Sequence, residues 1–213
     1  MSEITIKSPK HCAQYKQCFK IERNYKKFSL ALSIFITAIL LLSLAIWVIL
    51  RPAKPQFSIQ QVDIYQLSLS GSRINSSIQV TLLSKNPNQK VAIYYDDFQV
   101  YATYKGQQIT SYTSLPPLYQ DHEESNLLTA PLVGNEVPVA PSLGYEMGRD
   151  QTVGRLVLNL RVSGRLRWKV ATWVTGHYGF DVKCISVMAF EPSMPSAPLT
   201  SNQGAQCSTT VLN

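Results

Sequence analysis

The stretch that decides the fold runs from residue 155 to residue 170 and reads RLVLNLRVSGRLRWKV. Apolar and polar side chains alternate in it on both sides of Ser163-Gly164. A period of two with one polar face is typical of a half-buried β-strand, whereas an amphipathic helix repeats about every 3.6 residues. Because a Ser-Gly pair is also a turn signal, the pattern predicts two consecutive strands that turn at residues 163–164.

The same alternation recurs in the rest of the chain, most clearly at 78–83, 98–104 and 178–184. Further turn residues separate these segments at Gly71-Ser72, Asn86-Pro87-Asn88, Lys105-Gly106 and Thr175-Gly176. Several short strands at such spacing predict an antiparallel β-sandwich or barrel. We expect no helix outside the apolar segment at 28–50, since no other stretch shows a helical repeat.

Residues 28–50, FSLALSIFITAILLLSLAIWVIL, are 23 consecutive positions without a charge. A helix of this length spans about 35 Å, enough for a hydrocarbon core of about 30 Å. A cleaved signal peptide has a shorter apolar region and a small-residue cleavage site, whereas Arg51-Pro52 follows here. The low charged fraction of 15%, against about 25% in soluble chains, agrees with an uncleaved transmembrane signal anchor.

The charge distribution predicts the orientation of this anchor. Residues 1–27 hold seven Lys/Arg and two Glu, giving +5, whereas residues 51–213 hold thirteen Lys/Arg and eleven Asp/Glu, giving +2. Because cations favour the cytosolic side, we expect a cytosolic N-terminus, an extracellular remainder and no nucleic-acid partner. The predicted parts are a basic cytosolic arm (1–27), a transmembrane signal anchor (28–50), a Pro-containing stalk (51–57), a β-sandwich (58–190) and a C-terminal tail tied back by a disulfide (191–213).

The four cysteines fall into two pairs on opposite sides of the anchor. Cys184 and Cys207 would be in an oxidising compartment, where an even number of cysteines favours a disulfide. Cys12 and Cys18 would be cytosolic, where they are either palmitoylated or ordinary free thiols. On the extracellular side, Asn75-Ser76-Ser77 is a sequon that predicts glycosylation of Asn75.

The densest polar cluster is Asp121-His122-Glu123-Glu124. Its residue types suit metal binding or acid–base catalysis. Neighbouring residues in an extended chain point in opposite directions, so we favour a solvated loop. Asp96-Asp97 is similarly interpreted as a turn at the end of a strand. Since the sequence has no His-Glu-x-x-His, Gly-x-Ser-x-Gly or phosphate-loop motif, we expect no enzymatic activity, cofactor or metal.

One strand is predicted to have a basic outer face. Arg165, Arg167 and Lys169 alternate with apolar residues, and no acid lies between 155 and 169. Two interpretations remain: a contact face for an acidic cell-wall polymer, anionic lipid or acidic partner, or a solvated strand whose charges prevent edge pairing.

Three runs carry a resemblance to a known family: RPAKPQF at 51–57, NPNQKVAIYYD at 86–96 and LRWKVATW at 166–173. Together they resemble the plant harpin-induced-like, or NDR/HIN-like, proteins, whose external part is similar to the late-embryogenesis-abundant (LEA) type-2 domain. The resemblance covers nearly the whole chain after residue 28. Asn86, Pro87 and Asn88 match the family motif, and physically they predict a turn, because Asn tolerates a left-handed backbone and Pro fixes φ.

The resemblance implies a fibronectin-III-like antiparallel β-sandwich attached by one helix to the plasma membrane or to plasmodesmata. It also implies a non-enzymatic role in plant defence or stress signalling through protein or cell-wall contacts. The alternative is regulation of cell-to-cell or phloem transport at plasmodesmata. The expected partners are the lipid bilayer, an unknown membrane or cell-wall component, and further copies of this chain or of related chains.

Overall fold

The computed structural model describes residues 11–189, 199–201 and 204–212. The chain divides into two compact units, Met1–Arg51 and Pro52–Asn213. In chain order the elements are α1 (His11–Leu50), β1 (Gln56–Ser70), β2 (Arg73–Lys85), β3 (Ala92–Tyr104), β4 (Gln107–Gln108), β5 (Thr113–Leu115), β6 (Leu118–Gln120), β7 (Ser125–Pro138), α2 (Ser142–Val153), β8 (Arg155–Val170), β9 (Trp173–Val174), β10 (Tyr178–Ala189), β11 (Leu199–Ser201) and β12 (Ser208–Leu212).

The first unit is formed by α1, which is long and apolar enough over Lys27–Ile46 to cross a membrane. No side chain in this span is buried. Two of its hydroxyl-bearing residues bond to the helix itself: Thr37 Oγ1 donates to the Ile34 carbonyl at 2.8 Å, and Ser43 Oγ to the Leu40 carbonyl at 2.9 Å. Such internal bonding is what a helix in hydrocarbon requires.

The second unit is an antiparallel β-sandwich. One sheet has four strands in the order β11-β1-β2-β7. The other has eight, with β12-β10-β8-β3-β4 in order, β5 and β6 paired to β3, and β9 paired to β8. This confirms the predicted all-β sandwich preceded by one apolar helix.

The inward faces of both sheets form one core. At its aromatic part, Phe57 from the four-stranded sheet meets Tyr95, Phe98 and Phe180 from the other, with ring centroids 5.5–6.3 Å apart. The sequence predicts that Phe57 belongs to the stalk at 51–57, but β1 begins at Gln56 and Phe57 is only 1% exposed. The extended stalk is therefore shorter than the Pro-rich composition suggests.

The C-terminal segment joins the sheets. β12 pairs with β10, and β11 pairs with β1. Of the predicted tail at 191–213, residues 191–198, 202–203 and 213 lie outside the described residues, as do residues 1–10 of the basic arm.

The turn predicted at Ser163-Gly164 is wrong, because β8 runs unbroken through it. Gly164 lies opposite Phe98, beside a bulge in β3 between Tyr95 and Asp97. A Cβ at Gly164 would collide with the Asp97 carbonyl oxygen. The glycine thus allows a close backbone approach within the sheet rather than a change of direction.

A second difference is α2, since no helix was predicted outside the apolar segment. Leu143 and Met147, four residues apart within it, are buried, and one such pair is too short a pattern to predict a helix from sequence. Asp150 fixes its far end by accepting a hydrogen bond from the Tyr104 hydroxyl at 2.9 Å. That bond, together with Lys105, lowers the pKa of Asp150.

Candidate interaction surface

The predicted basic face lies on the solvent side of the eight-stranded sheet, but its first two cations are paired. Arg165 Nε donates to Asp97 Oδ2 at 2.6 Å. Arg167 makes a bidentate bond to Asp96, at 2.8 Å from Nε and 2.6 Å from Nη2. These acids come from β3, the neighbouring strand, so the absence of acids within β8 did not reveal them.

Asp96 and Asp97 therefore do not form the strand-end turn predicted for them. Both lie within β3, at its bulge. Asp96 is also 3.3 Å from His177 Nε2. Its hydrogen bonds with Arg167 are the main cause that lowers the pKa of Asp96.

Lys169 is in a different environment, against two tyrosine rings. Its Nζ is 5.6 Å from the ring centroid of Tyr94 and 5.1 Å from that of Tyr119, and the two rings are 4.7 Å apart. A hydrogen bond to the Tyr94 hydroxyl raises the pKa of Lys169. Arg167 packs over the same Tyr94 ring at 5.4 Å. We call Tyr94, Tyr119, Arg167 and Lys169 the Tyr94 patch; it combines flat aromatic surface with positive charge.

The Asp96–Arg167 pair predicts a pH dependence. The pKa of Asp96 is lower in the folded than in the unfolded chain. The pair therefore stabilises the fold at pH values above the ordinary carboxyl pKa, and this contribution is lost as the pH falls through the pKa of the folded state. Between about pH 5 and about pH 3, the unfolding free energy of the wild type should fall more steeply than that of Asp96→Asn. Urea titrations at each pH measure the difference. Parallel curves would contradict it, and Asp63→Asn controls for the loss of a half-buried carboxylate on the other sheet.

The Asn86-Pro87-Asn88 motif does connect β2 to β3, and its two amides are buried. Asn86 Nδ2 donates to the Val91 carbonyl at 2.8 Å and the Asp121 carbonyl at 2.9 Å. Asn86 Oδ1 accepts from the Asn88 backbone N–H at 3.0 Å and from Asn88 Nδ2 at 2.9 Å. The motif is therefore the centre of a hydrogen-bond network that joins two loops, which is more than a turn.

Asn88 extends this network to the segment that follows α1. Its Oδ1 accepts from the Ala53 backbone N–H at 2.7 Å, and its Nδ2 donates to the Ala53 carbonyl at 2.8 Å. One amide side chain thus pairs with both backbone groups of Ala53, as a neighbouring strand would. Nothing in the spacing of the motif predicted this contact, because its partner is 35 residues away in sequence.

The predicted disulfide joins Cys184 in β10 to Cys207, which precedes β12. Cys184 is buried, and the Cys207 N–H donates to the Phe57 carbonyl at 2.9 Å. The bridge therefore fastens the last strand to the core.

Replacing both Cys184 and Cys207 by serine should lower the free energy of unfolding by about 3 kcal/mol, because the bridge restricts the unfolded chain. Denaturant titration of the full chain in detergent measures this. Dithiothreitol should destabilise the wild type by a similar amount and leave the double variant unchanged. A wild type insensitive to reduction would contradict the prediction.

Asn75 lies in β2 at a bulge opposite β7. It is half-buried, and its Oδ1 accepts from the Glu136 backbone N–H at 2.7 Å. Cys12 and Cys18 fall within α1, in a part whose side chains are not described. Glycosylation of Asn75 and palmitoylation of Cys12 and Cys18 stay predictions.

The acidic cluster at 121–124 bonds mainly to itself. Asp121 Oδ1 accepts from the His122 backbone N–H at 2.8 Å, and Glu124 Oε2 from the Asp121 N–H at 2.6 Å. The His122 N–H bond is the first cause that lowers the pKa of Asp121. Glu123 takes a left-handed φ of 55°, as in a turn. Among the described residues no three His, Cys, Asp or Glu side chains group as metal ligands.

Part of the sandwich sequence matches the model of a known domain family. Residues 81–184 match the LEA_2 family model, described as late embryogenesis abundant protein. The match includes Asn86–Asn88, the Tyr94 patch and Cys184.

Comparison with whole proteins gives the family. The chain is 50% identical to NDR1/HIN1-like protein 26 of Arabidopsis thaliana, over 99% of this chain and 100% of that protein. It is 44% identical to NDR1/HIN1-like protein 1 of that plant (74% of this chain, 77% of the relative) and 42% identical to NDR1/HIN1-like protein 12 (70% and 72%). The chain belongs to the NDR1/HIN1-like family.

Proposed function

We propose that the chain is a non-enzymatic, single-pass plasma-membrane protein whose β-sandwich lies outside the cell and acts in plant defence or stress signalling through protein or cell-wall contacts. The observation that carries this is a pairing of features: an exposed apolar helix of membrane-spanning length precedes a disulfide-bonded sandwich. Disulfides persist in oxidising compartments, which supports an extracellular position. Membership of the NDR1/HIN1-like family supports the defence or stress role.

Protease protection tests the topology. Intact vesicles carrying the full chain with a C-terminal tag are treated with protease from the cytosolic face. The tag should survive until detergent is added, because the sandwich is enclosed. Digestion of the tag without detergent would place the sandwich in the cytosol and overturn the proposal. Imaging of the tagged chain then separates an even cell-surface distribution from the punctate one expected of the plasmodesmal transport alternative.

The Tyr94 patch is the surface we assign to cell-wall contact. The sheet face around it carries five cations, namely Arg161, Arg165, Arg167, Lys169 and Lys183, against four carboxylates, namely Asp96, Asp97, Asp121 and Asp181. Flat tyrosine rings beside a cation suit an acidic sugar polymer, since the rings pack on sugar rings and the cation meets the carboxylates.

Binding of the detergent-solubilised full chain to immobilised polygalacturonate tests this contact. Binding should weaken sharply between about 0.05 and about 0.5 M salt, and Lys169→Gln should weaken it more than Lys183→Gln, a matched charge loss outside the patch. Salt-independent binding, no binding, or equal effects of the two variants would exclude the Tyr94 patch as the contact surface.

A further inference from the structure

The hairpin formed by β8 and β9 ends in an uncharged tip, and the first residue of β9 carries an exposed indole. Residues 170–176 read VATWVTG, and Trp173 is 71% exposed. Ala171 takes a left-handed φ of 51°, which closes the turn. An indole combines a large apolar ring with a polar N–H, and this is why tryptophan is enriched where a membrane meets water.

The tip lies at the end of the sandwich where the chain from α1 enters it. Lys169 pairs with Ala92, the first residue of β3, and β8 then continues to the tip. The loop just before β3 contains Asn88, which binds both backbone groups of Ala53. The tip and Ala53 are therefore at the same end of the sandwich.

Chain length limits how far this end can be from the end of α1. Ala53 comes three residues after Leu50, the last residue of α1. An extended chain covers at most about 3.6 Å per residue, so this linker spans at most about 11 Å. If α1 crosses the bilayer, as the proposed function states, this end of the sandwich is held within that reach of the membrane surface, whichever side it faces.

Three exposed lysines lie at the same end: Lys54 beside Ala53, Lys85 at the end of β2 and Lys90 in the loop before β3. None of them is paired with a carboxylate among the residues that the structure describes. The acids of this end are Asp121, Glu123 and Glu124; Asp121 and Glu124 accept internal hydrogen bonds, and Glu123 is exposed. The lysines remain available to headgroup phosphates, with their stems along the apolar boundary.

We propose that this end of the sandwich rests on the bilayer that α1 crosses, with Trp173 in the boundary between headgroups and acyl chains and Lys54, Lys85 and Lys90 on lipid phosphates. The lipid surface is thus a second attachment of the sandwich, beyond its covalent link to the helix. This inference rests on the proposed function only for the insertion of α1.

Fluorescence quenching by brominated lipid tests the contact. The full chain with Trp47→Phe is reconstituted into phosphatidylcholine–phosphatidylglycerol vesicles that contain lipid brominated near the headgroup end of its chains. Trp173 should be quenched, and adding Trp173→Phe should remove the quenched component. The buried Trp168, 5% exposed, is common to both variants.

A tryptophan at the opposite end provides the matched control. Tyr145 in α2, between the end of β7 and the start of β8, is 79% exposed. In the Trp47→Phe/Trp173→Phe background, Tyr145→Trp should give no quenching by brominated lipid. Quenching of both reporters, or of neither, would overturn the proposal.

Carbonate extraction of the same vesicles distinguishes failure of the proposed function from failure of the lipid contact alone. Release of the chain by carbonate means that α1 does not span the bilayer, so the proposed function fails. Retention of the chain without quenching of Trp173 means that only the lipid contact fails. Lys85→Gln and Lys90→Gln should each shift the contact equilibrium about fivefold toward the unquenched state, and an unchanged equilibrium would exclude the lysines from the contact.

Discussion

Replacing Phe57 by alanine is expected to lower the free energy of unfolding by about 4 kcal/mol, the usual cost of truncating a buried phenylalanine. The ring is 1% exposed and contacts Tyr95, Phe98 and Phe180 across the two sheets. Its loss would leave a cavity between the sheets that could close only if the sheets moved closer together. Urea unfolding of the full chain in detergent, followed by near-ultraviolet circular dichroism, measures the change.

The neighbouring Gln56, which is exposed, supplies the control for Phe57. Gln56→Ala should change the unfolding free energy by less than about 0.5 kcal/mol, as surface substitutions do. If Phe57→Ala lowered the free energy of unfolding no more than Gln56→Ala does, Phe57 would belong to a solvated stalk, as the sequence predicts.

Replacing Asn86 by alanine should also cost about 4 kcal/mol. The substitution leaves four partners without their bond, namely the carbonyls of Val91 and Asp121 and two donors of Asn88. Each buried polar group that loses its partner costs about 1 kcal/mol or more. The same titration measures the effect, with Gln89→Ala as an exposed polar control in the same loop.

The Asn86 variant has a second readout, because Asn88 holds Ala53. Loss of the network should expose the segment after α1 to limited proteolysis, with cleavage near Lys54 by a protease of broad specificity, since trypsin does not cleave the Arg51-Pro52 and Lys54-Pro55 bonds. If Asn86→Ala unfolds at the wild-type denaturant concentration, or resists cleavage near Lys54, the hydrogen-bond network contributes little to the stability of the fold or of this segment.

The sequence was sufficient for features that depend on local pattern. The alternation along 98–104 and 178–184 reflects strands with one buried and one solvated face. The segment at 28–50 is apolar on every side, which is the pattern expected of a helix surrounded by lipid. The disulfide between Cys184 and Cys207 followed from compartment and count. Each of these signals is complete within a short stretch of chain or within composition.

The features that sequence missed are set by partners distant along the chain. Asp96 and Arg167 are 71 residues apart, so neither stretch shows that the other neutralises it. The sequence around Gly164 is typical of a turn, because it does not show the Asp97 carbonyl that packs against this glycine. Phe57 is core rather than stalk because of rings from another sheet. Tertiary contacts decide all of these.

The position of β12 has a consequence for the folding pathway. β12 pairs with β10 on the side away from β8, and the bridge from Cys184 to Cys207 holds it there. Until β12 docks, β10 presents an unpaired strand edge, which is a template for pairing with another chain, and Cys184 carries a free thiol. A folding intermediate that lacks only β12 is therefore the species most open to aggregation and to mixed disulfides.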